Sequence, residues 1–446
     1  MSEVSARAAA DQDQDQPTVV VRMADAGDLY IAWRWRGVPD AHGGAAGGIG
    51  VVPEEQAEAA VRRFAAALPA PGAPGGLEAA LSTGELASFD AEQALAQELS
   101  AAFLPYNLAV QLHEWYSRGI RPRVCVQPSP RVGQIPWELI APDPGLRLVD
   151  FADVCLLAPS GIVHAPARVG RSWENDRHLP VVAVLDPRVP GFRADSVLGS
   201  VLGRMDATAP MSQLVAGLAE RDRLLPKVED PVAAFRRTDL DRLWLSDALH
   251  AGASRLLYVG HVTAAVPTSG RSESATMHLA CTADTLGFAD LQRDHRPFSA
   301  RDLLLGTYTL SETPRSGPQL WPIPSRVALI ACESGGDLRF GEPLGLVAAM
   351  LTGGAELVTS GRWPLPTDLA FHRLGGAPQD ARPLQDAVCA INAAHERPDP
   401  VAALNDWQRT RLTAWREHGG IENSPLVWAA FATVDAHAAV GDTRRD

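Results

Sequence analysis

Four short runs constrain this chain more than any other feature: Val181-Val182-Ala183-Val184-Leu185, Leu256-Leu257-Tyr258-Val259, Val327-Ala328-Leu329-Ile330-Ala331 and Glu356-Leu357-Val358-Thr359-Ser360. Each is largely apolar without alternation, as expected of strands covered on both faces in a parallel sheet. Between the last two lies a helical pattern. Pro343 suits its first turn, Leu344, Val347, Ala348 and Leu351 form its apolar stripe, and Gly353-Gly354 stops it. Strand, helix and strand in so few residues predict a right-handed βαβ crossover. Residues 123–127 and 154–157 read as further strands, and residues 192–249 carry helical patterns with a surface insertion near 226–231. Alternating β and α units give an α/β fold with a largely parallel central sheet flanked by helices.

The N-terminal part reads differently. Residues 18–22 and 29–35 are β-rich runs split by Ala26-Gly27-Asp28, which predicts a hairpin. Residues 43–50 read as a glycine-rich loop. From about 53 to 118 the pattern is helical: Val61, Phe64, Ala65 and Leu68 first, then Leu95, Leu99 and Phe103, then Leu108, Leu112 and Trp115. The expected organisation is a disordered acidic segment over 1–17, a hairpin and helical region over 18–120, the main α/β domain over 121–436 and a flexible tail over 437–446. The helical layer is a candidate surface for a protein partner.

Composition removes several functions. The chain carries 53 acids against 40 Lys and Arg, a net charge of −13, so it offers no general basic surface for nucleic acid. The pairs Arg62-Arg63 and Arg236-Arg237 read as solvated helix faces. No run approaches the roughly 20 apolar residues of a membrane span, and no secretory signal is visible, so a cytoplasmic protein is expected. The five cysteines, Cys125, Cys155, Cys281, Cys332 and Cys389, are scattered and odd in number, which fits a reducing compartment. His278 and Cys281 have H-x-x-C spacing, but no second pair completes a metal site, so neither metal nor other cofactor is expected.

Functional groups of an open parallel sheet gather beyond the carboxyl ends of its strands. His261 follows one apolar run through Gly260, and Cys332 follows another directly. If the two strands are neighbours, an imidazole and a thiol share one rim, where the base can take the thiol proton. Backbone N–H groups of the turns just past the strands, at Gly260, Val262 and Glu333, are candidates to hold an oxyanion. Asp186 ends a strand on the same expected rim and Asp368 follows another. Each is a candidate acid for binding a basic substrate side chain, with a turn or helix N-cap as the alternative. Cys125, Cys155 and Cys389 lie in apolar patterns and read as core, and Trp137 and Trp363 read as packing anchors.

These residues also carry a resemblance. Tyr258-Val259-Gly260-His261 and Ala331-Cys332-Glu333-Ser334-Gly335 resemble the histidine and cysteine motifs of the CHAT family, caspase-like peptidases of the gingipain–caspase–separase clan. Gly341-Glu342-Pro343-Leu344-Gly345-Leu346, Leu351-Thr352-Gly353-Gly354-Ala355, Trp363-Pro364-Leu365-Pro366-Thr367-Asp368, Ile135-Pro136-Trp137-Glu138-Leu139 and Ala158-Pro159-Ser160 extend it. The resemblance implies a caspase-like sandwich and a cysteine endopeptidase that cleaves a protein partner or itself through a Cys332–His261 dyad, without a cofactor. It also implies an acidic S1 role for Asp368, since separases carry an acid in a similar tryptophan context, here one residue longer. Val262 departs from the glycine that usually follows the family's histidine. That departure keeps a second outcome open: a weak or inactive module that binds peptides or serves as a scaffold.

Overall fold

The computed structural model describes residues 16–39 and 45–436. The expected disordered segment and flexible tail fall almost wholly outside these residues, as does the start of the expected glycine-rich loop.

Fourteen strands appear among the described residues: β1 (Thr18–Ala26), β2 (Asp28–Pro39), β3 (Ala45–Val52), β4 (Arg123–Gln127), β5 (Asp153–Leu157), β6 (Val181–Leu185), β7 (Leu224–Leu225), β8 (Arg255–Val259), β9 (Val262–Thr263), β10 (Thr276–Met277), β11 (Phe298–Ser299), β12 (Arg326–Ile330), β13 (Leu357–Gly361) and β14 (Phe431–Asp435). Eleven form one sheet in the order β3-β2-β1-β4-β5-β14-β13-β12-β8-β6-β7, and β11-β10-β9 form a small separate one. The architecture is mixed α/β, with a large, mostly parallel central sheet flanked by helices. The four runs that demanded two covered faces are β6, β8, β12 and β13, and every residue in them is buried.

The pairings divide the sheet. Strands β13, β12, β8, β6 and β7 are mutually parallel, and so are β1, β4, β5 and β14; the two sets run in opposite senses and meet at the antiparallel pair β13/β14. The N-terminal hairpin continues this same sheet, because β1 pairs in parallel with β4 from Thr18/Arg123 to Arg22/Gln127. Residues 45–50, read as a loop, belong instead to β3; Gly48 is needed there because a Cβ would lie 2.4 Å from the Trp33 ring.

Helices cover both faces. Val401, on the helix Pro400–His418, packs with Val20, Cys125, Cys155, Leu157 and Leu357. The alternate residues Val19, Val21, Val124 and Val126 belong to the large core with Phe64, Leu95, Leu99 and Phe103 of the helices Glu54–Ala66 and Phe89–Phe103. Full burial of each such aliphatic or aromatic side chain contributes roughly 1.5–3 kcal/mol. The predicted βαβ unit is present as β12, the helix Leu346–Thr352 and β13. That helix starts later than its apolar stripe suggested: Gly345 is its N-cap, and Leu344 stays exposed outside it. The stretch 192–249 is only partly helical, with helices Pro210–Glu220 and Arg242–His250. Residues 187–209 take neither helix nor strand.

Candidate active site

β8 and β12 are adjacent and parallel, with Val259 opposite Ile330 as their last paired residues. His261 and Cys332 each stand two positions further on. Neighbouring strands lie about 4.8 Å apart, so the matched offset brings both residues to one stretch of the sheet's carboxyl rim. Gly260 makes the turn between strand and histidine. A Cβ there would lie 2.8 Å from the hydroxyl of Tyr258, which folds back to donate to the His261 carbonyl at 2.6 Å.

The His261 ring is half-buried, and its Nε2 lies 3.1 Å from the Gly199 carbonyl oxygen. A carbonyl only accepts, so the proton sits on Nε2 and Nδ1 keeps its lone pair. Burial lowers the pKa of the imidazole, with the Arg236 charge acting the same way. The bond to Gly199 and the Asp186 charge oppose that shift. The ring is therefore a neutral base near pH 7.

Cys332 is half-buried, and burial raises its thiol pKa. The N–H of Leu365 approaches Sγ at 3.4 Å and favours the thiolate, while the Glu333 charge opposes it. Among the described residues no hydrogen bond joins Cys332 to His261, and the two opposite pKa shifts leave the resting pair a thiol and a neutral imidazole.

The loop after Cys332 is braced against β13. The Ser334 hydroxyl donates to Leu329 O at 2.6 Å and accepts from Gly361 N–H at 2.8 Å, and Gly335 N–H donates to Gly361 O at 2.9 Å. Gly335 has no room for a side chain, since a Cβ would meet Ser360 Oγ at 2.5 Å. Glu333 sits at φ 48°, its carboxylate paired with Arg339 at 2.9 Å.

The three backbone candidates for an oxyanion separate. Gly260 N–H donates to Ile330 O at 3.3 Å and Glu333 N–H to Trp363 O at 3.2 Å, so both already hold the fold together. Val262 differs. His278 N–H donates to His261 O at 3.1 Å, which makes 261/278 the hydrogen-bonded pair of the β9/β10 ladder and Val262/Met277 the non-bonded one. By the alternation of antiparallel ladders the Val262 N–H points away from β10. Val262 is also absent from the residues with positive φ; it lies in a strand, where a β-branched side chain causes no strain.

Neither candidate acid presents a free carboxylate. Asp368 begins the helix Asp368–Leu374, is buried, and accepts from Leu384 N–H at 2.8 Å and from Gln385 Nε2 at 3.1 Å. Asp186 is also buried. It accepts from the Ser200 hydroxyl at 2.5 Å and from Val201 N–H at 3.1 Å, and pairs with Arg236 at 3.2 Å. Thr367, not Asp368, caps the helix Asp368–Leu374; the bonds of Asp368 go to the first turn of the helix Pro383–Ala394, and those of Asp186 to residues 200–202. His278 is buried, with Nδ1 3.0 Å from His295 Nε2 and Nε2 2.9 Å from Thr263 Oγ1, so its ring supports the segment after His261.

Three contributors escaped the sequence reading: Gly199, Leu365 and Arg236. Arg236 was expected on a solvated helix face. It lies outside any helix at φ 55°, donating to Asp186 and to Gly199 O at 2.8 Å. Leu365 lies within one of the motif runs but drew no role there, and no periodicity or motif marks Gly199 or Arg236, because each acts through contacts with residues far along the chain.

No protein-family model and no curated protein matches this chain. Among solved structures it is similar to separase in two crystal structures of the Saccharomyces cerevisiae separase–securin complex. In the 3.0 Å structure the identity is 9% and the TM-score 0.47; in the 2.6 Å structure they are 10% and 0.32. Each match covers 98% of this chain and 31% of the other, so this chain spans under a third of those chains' length.

Proposed function

We propose that this chain is a caspase-like cysteine endopeptidase of CHAT type, with Cys332 as nucleophile and His261 as general base and acid. One observation carries the reading: two chemically complementary side chains stand at matched positions beyond adjacent parallel strands. Neutral His261 takes the thiol proton on Nδ1 as sulfur attacks the peptide carbonyl. The C–N bond then breaks, and the leaving amine receives that proton. Water, deprotonated by the same nitrogen, releases the acyl group from sulfur. The outward N–H of Val262 supports the reading as an oxyanion donor. Free cysteines at all five positions fit work in a reducing, cytoplasmic setting, and no described helix is long and apolar enough to cross a membrane. The substrate is a protein, either a partner or this chain itself.

The test compares wild type with Cys332→Ala on a peptide library and in self-cleavage. Cleavage by wild type alone supports the reading; equal behaviour of the two removes it.

A second reading is a peptide-binding or scaffolding module that uses the same rim without turnover. The raised thiol pKa and the absence of a hydrogen bond between Cys332 and His261 favour it. Binding of a peptide by wild type and Cys332→Ala alike, with no cleavage by either, would select this reading.

A further inference from the structure

Asp186 leaves β6 at φ 48°, in the left-handed region that few residues other than glycine enter. That turn aims its buried carboxylate at residues 200–202 of the irregular stretch 187–209. Oδ2 accepts from the Ser200 hydroxyl at 2.5 Å and from Leu202 N–H at 3.4 Å, and Oδ1 from Val201 N–H at 3.1 Å. Arg236 closes the arrangement: its Nη1 donates to Asp186 Oδ1 at 3.2 Å, to Pro187 O at 3.4 Å and to Gly199 O at 2.8 Å. The same Gly199 oxygen receives the Nε2–H of His261 at 3.1 Å.

One loop carbonyl thus holds the imidazole, and half-buried Arg236, paired with the buried Asp186, holds the carbonyl. Without that pair nothing regular would fix the oxygen, since residues 187–209 contain no helix or strand. We infer that Asp186 and Arg236 are positioning residues for His261, which lock the Gly199 carbonyl and through it the tautomer and aim of the catalytic imidazole. The inference rests on the peptidase reading for its consequence in turnover, but the geometry of the clamp stands independently of it. It assigns Asp186 a task other than binding a basic substrate side chain.

The two members of the clamp act on His261 with opposite sign. The Asp186 charge favours the imidazolium and the Arg236 charge opposes it. Ionisable groups on the neighbouring elements include Tyr258 of β8, whose hydroxyl donates to the His261 carbonyl, Cys332 at the matched position past β12, and the buried His278 past β10, whose pKa is pushed down to about 3 so that it is neutral where His261 titrates. A purely structural brace would lose stability in both variants without a signed electrostatic effect.

The experiment uses the full chain. The His261 ring is titrated by NMR, assigned with His261→Ala, in wild type, Asp186→Asn and Arg236→Gln, and kcat and KM are measured on one cleaved peptide. The titration midpoint is expected to fall in Asp186→Asn and to rise in Arg236→Gln. Both variants are expected to lose about tenfold in kcat with KM little changed. Ser200→Ala keeps both charges and removes one bond of the clamp, so it serves if Asp186→Asn does not fold. It is expected to lower kcat without moving the midpoint. Midpoints that stay fixed or move together in Asp186→Asn and Arg236→Gln overturn the inference, as does an unchanged kcat in a folded clamp variant. If wild type cleaves no peptide, the peptidase reading fails, and the titration, which needs no turnover, still decides the clamp.

Discussion

Cys332 and His261 rest as neutral species, and that has a measurable consequence. Burial raises the thiol pKa, so its thiolate fraction at pH 7.5 lies below that of an unperturbed cysteine. Cys332 is therefore expected to react with iodoacetamide more slowly than free cysteine at pH 7.5, and faster as pH rises; peptide mapping by mass spectrometry checks this. Asp368→Ala removes the acceptor of two buried bonds between the helices Asp368–Leu374 and Pro383–Ala394. The expected cost is about 1–3 kcal/mol in urea unfolding, with the preferred residue before the cleaved bond unchanged. A lost preference for arginine would return Asp368 to the S1 role. Asp337 lies just beyond the cysteine loop, where its Oδ2 accepts from Ala348 N–H at 2.9 Å and burial pushes its carboxyl up to about 6. A folded pKa above the ordinary 3.9 stabilises the fold fully below about pH 4, and this contribution is lost as pH rises through 6. Asp337→Asn should therefore be more stable than wild type at pH 8, by up to about 3 kcal/mol, with the advantage shrinking toward pH 4 in pH-dependent thermal melts.

At the scale of elements, the segment that meets the thiol is held from the N-terminal side of the molecule. Trp363 is fully buried, stacks edge-on against Phe64 of the helix Glu54–Ala66 with ring centroids 5.8 Å apart, and donates Nε1–H to Leu426 O at 3.2 Å. Its neighbour Arg362 pairs with buried Glu138 at 2.9 Å and donates to Ala429 O and Phe431 O. Trp363→Ala is expected to cost about 3–5 kcal/mol, read as a lower urea midpoint, and to weaken cleavage because Leu365 follows two residues later. The elements themselves were largely legible. Four runs without alternation were recognisable as buried strands, and the helix before β13 was recognisable from its stripe. Its exact start was not, because Pro343 and Leu344 look helical while Gly345 takes the cap. β3 escaped because alanine and glycine over 45–50 carry little strand signal; only the ring of Trp33, contributed by β2, explains Gly48.

At the scale of the whole molecule, the rim that carries His261 and Cys332 was legible because it follows from a local rule, chemistry beyond the ends of buried strands. The Asp186–Arg236–Gly199 arrangement and the junction of two oppositely directed parallel halves at β13/β14 were not, since both depend on pairings between distant segments. The same pairings make the N-terminal region part of the sheet. Removing residues 1–120 strips β1 from β4 and the helix Glu54–Ala66 from Trp363. The remaining piece, with an open sheet edge, is expected to aggregate, and size-exclusion chromatography checks this. A soluble, folded piece would show that the two regions are independent.

The account turns on sulfur and imidazole acting together at one rim. The most direct measurement is the rate at which a peptide acyloxymethyl ketone labels Cys332, followed by mass spectrometry in wild type and in His261→Ala. The account predicts an adduct on Cys332 that forms at least about tenfold faster in wild type. Equal rates in the two proteins, or labelling that passes over Cys332, would contradict it.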